Sequence, residues 1–197
     1  MKKLFLVLML CGVFLCFGNT ASALQFDLIY EFDGALPVQS YGTVDVTEVG
    51  SGDLYFEINA NTSTLGSNAD IHEFYFNLDN VFTGLGIDSY SPLIEDPSVA
   101  GGAGASFDYG VNFGNGAPTL QNATFTLSAD ESLAVDNLFK YSTTNNTPPV
   151  YMAVHFQGTD TPGGSETVGA VPEPATILLL GSGLVGLAGF GRKKFKK

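Results

Sequence analysis

Between residues 24 and 157 the chain alternates apolar and polar positions with a period of two in several short runs. In 53–59, Leu54, Phe56 and Ile58 fall on one side, and Asp53, Tyr55, Glu57 and Asn59 on the other. Phe74, Phe76 and Leu78 alternate with Glu73, Tyr75 and Asn77, and Phe107, Tyr109, Val111 and Phe113 with Asp108, Gly110 and Asn112. Val44 and Val46 repeat the pattern, and 26–32, 123–127 and 150–157 are further runs. One buried face and one wet face is the mark of antiparallel sheet. Turn-forming stretches separate the runs: Gly50-Ser51-Gly52, Gly66-Ser67-Asn68, Gly84-Leu85-Gly86, Gly101-Gly102 and Gly114-Asn115-Gly116. Seven or more such strands predict an all-β fold, an antiparallel β-sandwich or jelly-roll-like domain over 24–157.

Two segments depart from this period. Ser128-Ala129-Asp130-Glu131 has the shape of a capping box ahead of Leu133, Leu138 and Phe139, which suggests a short helix near 130–139, with a loop as the alternative. Residues 158–170 are rich in Gly, Thr, Pro, Ser and acidic residues with little periodicity, and read as a flexible linker.

The two ends carry a different pattern. Lys2 and Lys3 precede an apolar run, 4–17, which is followed by Ala21-Ser22-Ala23. A charged start, an apolar middle and an A-x-A site at Ala21 and Ala23 predict a signal peptide over 1–23. Cys11 and Cys16 both lie inside it, so the exported chain is expected to hold no disulfide and no thiol.

The last segment, 171–197, opens with Val171-Pro172-Glu173-Pro174-Ala175. Each proline fixes φ and lacks an N–H, and the residue before it is pushed to an extended conformation. Such a peptide stays out of helix and sheet and suits an enzyme cleft. The apolar run 176–190 follows and predicts a single transmembrane helix. With Ala175 it is 16 residues, about 24 Å at 1.5 Å per residue, short of the roughly 20 residues that a bilayer core asks for. Lysines at its end extend its reach by snorkelling. Arg192, Lys193, Lys194, Lys196 and Lys197 form a membrane-stop cluster that the positive-inside rule keeps cytoplasmic. The domain is then expected outside the cytoplasm, anchored at the inner membrane before processing.

The order and residues of this tail resemble the PEP-CTERM protein-sorting signal of Gram-negative bacteria. The resemblance rests on Val171, Pro172, Glu173, Pro174 and Ala175, on the glycine-rich core 178–189, and on Arg192, Lys193 and Lys194. It covers only the last 27 residues. It implies that the protein is the substrate of an exosortase, a membrane-embedded cysteine transpeptidase that cuts near Pro172-Glu173-Pro174. It further implies delivery to the cell surface or to an exopolysaccharide or biofilm matrix. Within the tail, Gly181-Ser182-Gly183-Leu184-Val185-Gly186 mimics a dinucleotide fingerprint, but no acidic residue follows and no β-α-β unit surrounds it.

Charge sharpens the picture once the ends are set aside. Of the 8 Lys and Arg only Lys140 lies in the exported domain, against 19 of the 20 Asp and Glu, a net −18. Phosphates need a basic footprint, so nucleic acid is excluded as a partner. No cofactor is expected, with Ca²⁺ the ion such a surface would collect. Asp79 (with Asn80) and Asp96 (with Glu95) are weak candidates for it, against the plainer reading as exposed turns, and the order of an EF-hand loop is absent. No zinc spacing of the H-x-x-x-H or C-x-x-C kind and no G-x-S-x-G elbow occurs. The two histidines, His72 and His155, are far apart in the chain, and His155 falls on the polar phase between Val154 and Phe156.

No catalytic residue is assigned, and the expected function is that of a non-catalytic surface or matrix protein. The alternative is a glycan-binding or glycan-active module exported by the same route. It would use Tyr55 and Tyr75, which fall on the outward phase of their strands, or a pair of carboxylates that the sequence does not single out.

Overall fold

The computed structural model describes residues 23–32, 36–50, 52–91, 107–114, 119–142 and 149–170. Nearly all of it is antiparallel β structure. The elements are β1 (Ala23–Glu31), β2 (Gly42–Val49), β3 (Asp53–Ala60), a single helical turn α1 (Thr62–Leu65), β4 (Asp70–Phe76), β5 (Gly86–Ser91), β6 (Tyr109–Asn112), β7 (Asn122–Ser128), a 3-10 turn (Val135–Leu138), β8 (Met152–Gln157) and β9 (Ser165–Ala170).

The alternating runs become strands for the reason that the pattern suggests. On β3, Leu54, Phe56 and Ile58 are buried while their neighbours are partly exposed. The register stacks apolar positions in rows: Val46 lies opposite Phe56, and Phe56 opposite Phe125 of β7. A second row runs Val44, Ile58, Ala123. Cross-strand pairs of this kind are the unit of sheet stabilisation.

All nine strands belong to one sheet, in the order β5-β7-β3-β2-β1-β9-β8-β4-β6. The sequence predicted a sandwich of two sheets; the structure instead curls one sheet into a half-barrel. Its two halves nevertheless face each other. β3 stands third and β4 eighth in the order, yet the rings of Phe56 and Phe74 are 5.7 Å apart. Phe56 also stacks on Phe125 at 4.6 Å, and Phe74 on Phe76 at 5.5 Å. The alternation therefore reports correctly that two β layers share a core, and cannot report that the layers are continuous.

β1 changes partner along its length. Residues Ala23 to Leu28 pair with β2, while Leu28, Tyr30 and Glu31 pair with β9, with a register shift between Leu28 and Tyr30. A bulge of this sort raises local twist and redirects the strand. A second apolar cluster forms on the other face of the sheet, from Tyr75, Phe107, Val150 and Ala153 with Tyr30 and Phe32 packed against it.

That second cluster corrects two expectations. Residues 158–170 are not a linker, and the domain does not end at 157. Ser165–Ala170 is β9, a central strand between β1 and β8, and its last five residues are buried. A strand covered on both faces carries no alternation, which is why its sequence reads as loop. Gly169 is required there, because a Cβ would sit 2.9 Å from Val150 Cγ1 and 3.3 Å from Phe32 Cε2.

The helix expected over 130–139 shrinks to the 3-10 turn. Ser128 is the last residue of β7, not a cap. Glu131 accepts from the backbone N–H and the hydroxyl of Thr83 at 3.0 and 2.8 Å, and so ties two loops instead of capping a helix.

Candidate functional site

The second face of β4 and β8 gathers polar side chains that sequence spacing kept apart. Ile71 and Phe74 both enter the core although they are three residues apart. Strict alternation would send one of them outward. A bulge absorbs the mismatch: Ile71 lies opposite Phe156, Glu73 lies opposite His155, and His72 is the extra residue between them. The two residues of the bulge, His72 and Glu73, are thereby held off the core side by side.

His155 reaches them from β8. Its Nδ1 is 3.2 Å from Glu73 Oε2, and His72 Nδ1 is 3.9 Å from the same oxygen. The two imidazoles meet edge to face with centroids 5.4 Å apart at 82°. One ligand atom from each of His72, Glu73 and His155 lies within 4.8 Å of the others. Around this trio stands a ring of partners. The Tyr75 hydroxyl donates to Glu73 Oε2 in a short hydrogen bond. Ser165 Oγ, at the start of β9, is 2.7 Å from His155 Nε2, and Gln157 Nε2 is 3.4 Å from His72 Nδ1.

The environment sets protonation. Burial holds the His155 imidazole below its ordinary value, against the pull of Glu73 and with the help of His72. Burial, and then the hydrogen bond and charge of Glu73, push the Tyr75 phenol well above the usual tyrosine range. Tyr75 therefore stays a donor and His155 stays a neutral imidazole near pH 7.

Two chemistries are compatible with the arrangement. Imidazole nitrogens and a carboxylate are ligands for a borderline metal ion. The sequence Ser165–His155–Glu73 also has the order of a hydrolase relay. Here, however, Glu73 Oε2 is shared with Tyr75 and approached by His72.

Of the candidate residues singled out in the sequence, only Tyr75 belongs to this cluster, as a donor to Glu73. Val171, Pro172, Glu173, Pro174, the basic cluster 192–197, Ala21 and Asp96 are outside the described residues, as are residues 1–22 of the signal peptide expected over 1–23 and the apolar run 176–190 expected to cross the membrane. Among the described residues no helix is long and apolar enough to cross a membrane. Ala23 opens β1, paired with Thr47. Asp79 lies in a turn, where its Oδ1 accepts from Asn80 and Asn137, each at 3.0 Å. Tyr75 is no outward platform: it is buried and stacks on Phe107 at 5.8 Å. Exposed aromatics lie instead at Tyr90, Phe139 and Tyr141, and Tyr141 stacks on Tyr151 at 4.5 Å. The bulge signature, Ile71 and Phe74 three apart in a run of period two with His and Glu between them, was the signal that would have found the cluster.

Residues 170–193 match the family model of the PEP-CTERM protein-sorting motif. The match begins on Ala170, the last residue of β9, which pairs with Leu28 on one side and Met152 on the other. No curated protein matches the chain, and no solved structure does.

Proposed function

We propose that this chain is a non-catalytic protein of the cell surface or exopolysaccharide matrix, staged at the inner membrane and processed by an exosortase near Pro172-Glu173-Pro174. The observation that carries the reading is the sorting motif at 170–193, which implies export and exosortase-dependent sorting. The fold supports it in a second way. Pro172-Glu173-Pro174 lies just beyond Ala170, the end of β9, so cleavage there would leave the whole sheet intact. Acidity supports it too: a net −18 over the exported part keeps a matrix protein soluble and away from anionic surfaces.

A glycan-binding reading has one observation in its favour. Tyr141 and Phe139 are exposed beside Tyr151, and aromatic faces of this kind stack on sugars.

The test is mass spectrometry of the C-terminus of the protein recovered from cells, together with its partition between membrane and matrix fractions. The expected product has lost everything after the Pro-Glu-Pro region and partitions with the polysaccharide. An intact chain ending at Lys197 in the inner membrane overturns the proposal. Matrix retention that disappears in Tyr141→Ala would favour the glycan-binding reading.

A further inference from the structure

The cluster on β4 and β8 is independent of sorting, and we infer that His72, Glu73 and His155 form a site for one divalent transition-metal ion of the Zn²⁺ type. Four observations converge on it. First, the ligand set is N₂O, with two imidazoles and one carboxylate, a combination suited to zinc and its neighbours and foreign to calcium, which takes oxygen. Second, the spacing is close to what coordination demands. Bonds of about 2.0–2.2 Å in a tetrahedron place ligand atoms about 3.3 Å apart; His155 and Glu73 stand at 3.2 Å and His72 and Glu73 at 3.9 Å. Closing the remainder moves His72 Nδ1 off its 3.4 Å contact with Gln157 Nε2 and towards Glu73.

Third, the outer partners are those that a metal site uses to orient its ligands. Ser165 is a hydroxyl and can accept or donate. Without metal it donates to Nε2 while Nδ1–H faces Glu73; with metal it accepts from Nε2–H and leaves the Nδ1 lone pair aimed at the ion. Tyr75 holds the Glu73 carboxylate from the other side. Fourth, the placement is half-buried. The side chains of His72, His155 and Glu73 are 10%, 20% and 19% exposed, low enough to fix geometry and open enough for an ion to enter. Three protein ligands leave a fourth position for water or for an oxygen of a bound molecule.

The chain has two histidines, and the bulge at His72 brings both into one site across the 83 positions from 72 to 155. A polar sheet face needs solvation only and has no use for that convergence.

The experiment is equilibrium dialysis of the detergent-solubilised full chain, stripped with EDTA, against Zn²⁺ in the presence of excess Ca²⁺. The expected result is one Zn²⁺ per chain that Ca²⁺ does not displace. His72→Ala and Glu73→Gln should abolish this stoichiometric binding, and Ser165→Ala, at an exposed position, should weaken it roughly 10- to 100-fold while keeping the fold. A readout that needs no variant guards against misfolding: Co²⁺ loaded into the wild-type chain should give hyperfine-shifted N–H proton signals from two imidazoles. Zinc displaced by Ca²⁺, binding unchanged in His72→Ala, or no shifted imidazole signals each overturn the inference. Labelling of Ser165 by a fluorophosphonate would overturn it in favour of a hydrolase relay.

Discussion

The two halves of the curled sheet are built by different rules. In the half containing β2, β3 and β7 the registers run unbroken, eight pairs between β2 and β3 and six between β3 and β7. Every second residue enters the core, and the outer face is wet. In the half containing β9, β8 and β4 the register slips at His72, both faces are covered, and polar groups converge. The first half shows what alternation alone can build. The second shows that a break in alternation is where a sheet acquires chemistry, because the bulge turns two successive side chains to one side.

The contrast can be broken most severely at the strand that joins the halves. β1 and β8 have no direct pairing, and β9 links them through three pairs with β1 and six with β8. A chain ending at Gly164 should lose cooperative unfolding and its near-ultraviolet circular dichroism, whereas one ending at Ala170 should melt sharply. Equal melting of the two would show that β9 is the dispensable linker that its sequence suggests. A smaller effect is expected from crowding. Gly169→Val should destabilise by about 1–3 kcal/mol, because the added carbons meet Val150 and Phe32. Thr124→Val, on the wet face of β7, should stay within about 0.5 kcal/mol in the same urea titration.

The smallest expected effect concerns pH. Two hydrogen bonds from Thr83 hold the Glu131 carboxyl below its ordinary value. A depressed carboxylate adds stability above its unfolded value and loses it as pH falls through the folded one. The difference in urea midpoint between wild type and Glu131→Gln should therefore exist at pH 7 and vanish in acid. A difference that persists in acid would mean that Glu131 acts by packing and not by charge.

Legibility in the sequence follows the same division. Leu54, Phe56 and Ile58, or Ala123, Phe125 and Leu127, announce their strands because one face is wet. β9 stayed hidden because Thr167, Val168, Gly169 and Ala170 are all buried. β5 stayed hidden for the opposite reason: Asp88, Ser89, Tyr90 and Ser91 are all exposed, and its place is set by pairing with β7. The His72–Glu73–His155 cluster escaped because ligand rules read spacing along the chain, while the sheet assembles ligands across strands. The sorting tail was legible for a different reason. It is a message to an enzyme, written in prolines, an apolar run and basic residues that need no fold to be read.

The position of β9 governs the order of events during export. Leu28 near the start of the domain waits for Ala170 at its end, so the pairing that joins the halves has the longest loop to close and comes late. Until then β1 and β8 present unpaired edges, the kind of template on which chains misassemble. The residue that completes the sheet is also the first residue of the sorting motif. Completion and dispatch are thus timed by one event. Read from the N-terminus, the last missing strand comes just ahead of the motif, so the address follows directly on the segment that makes the cargo whole.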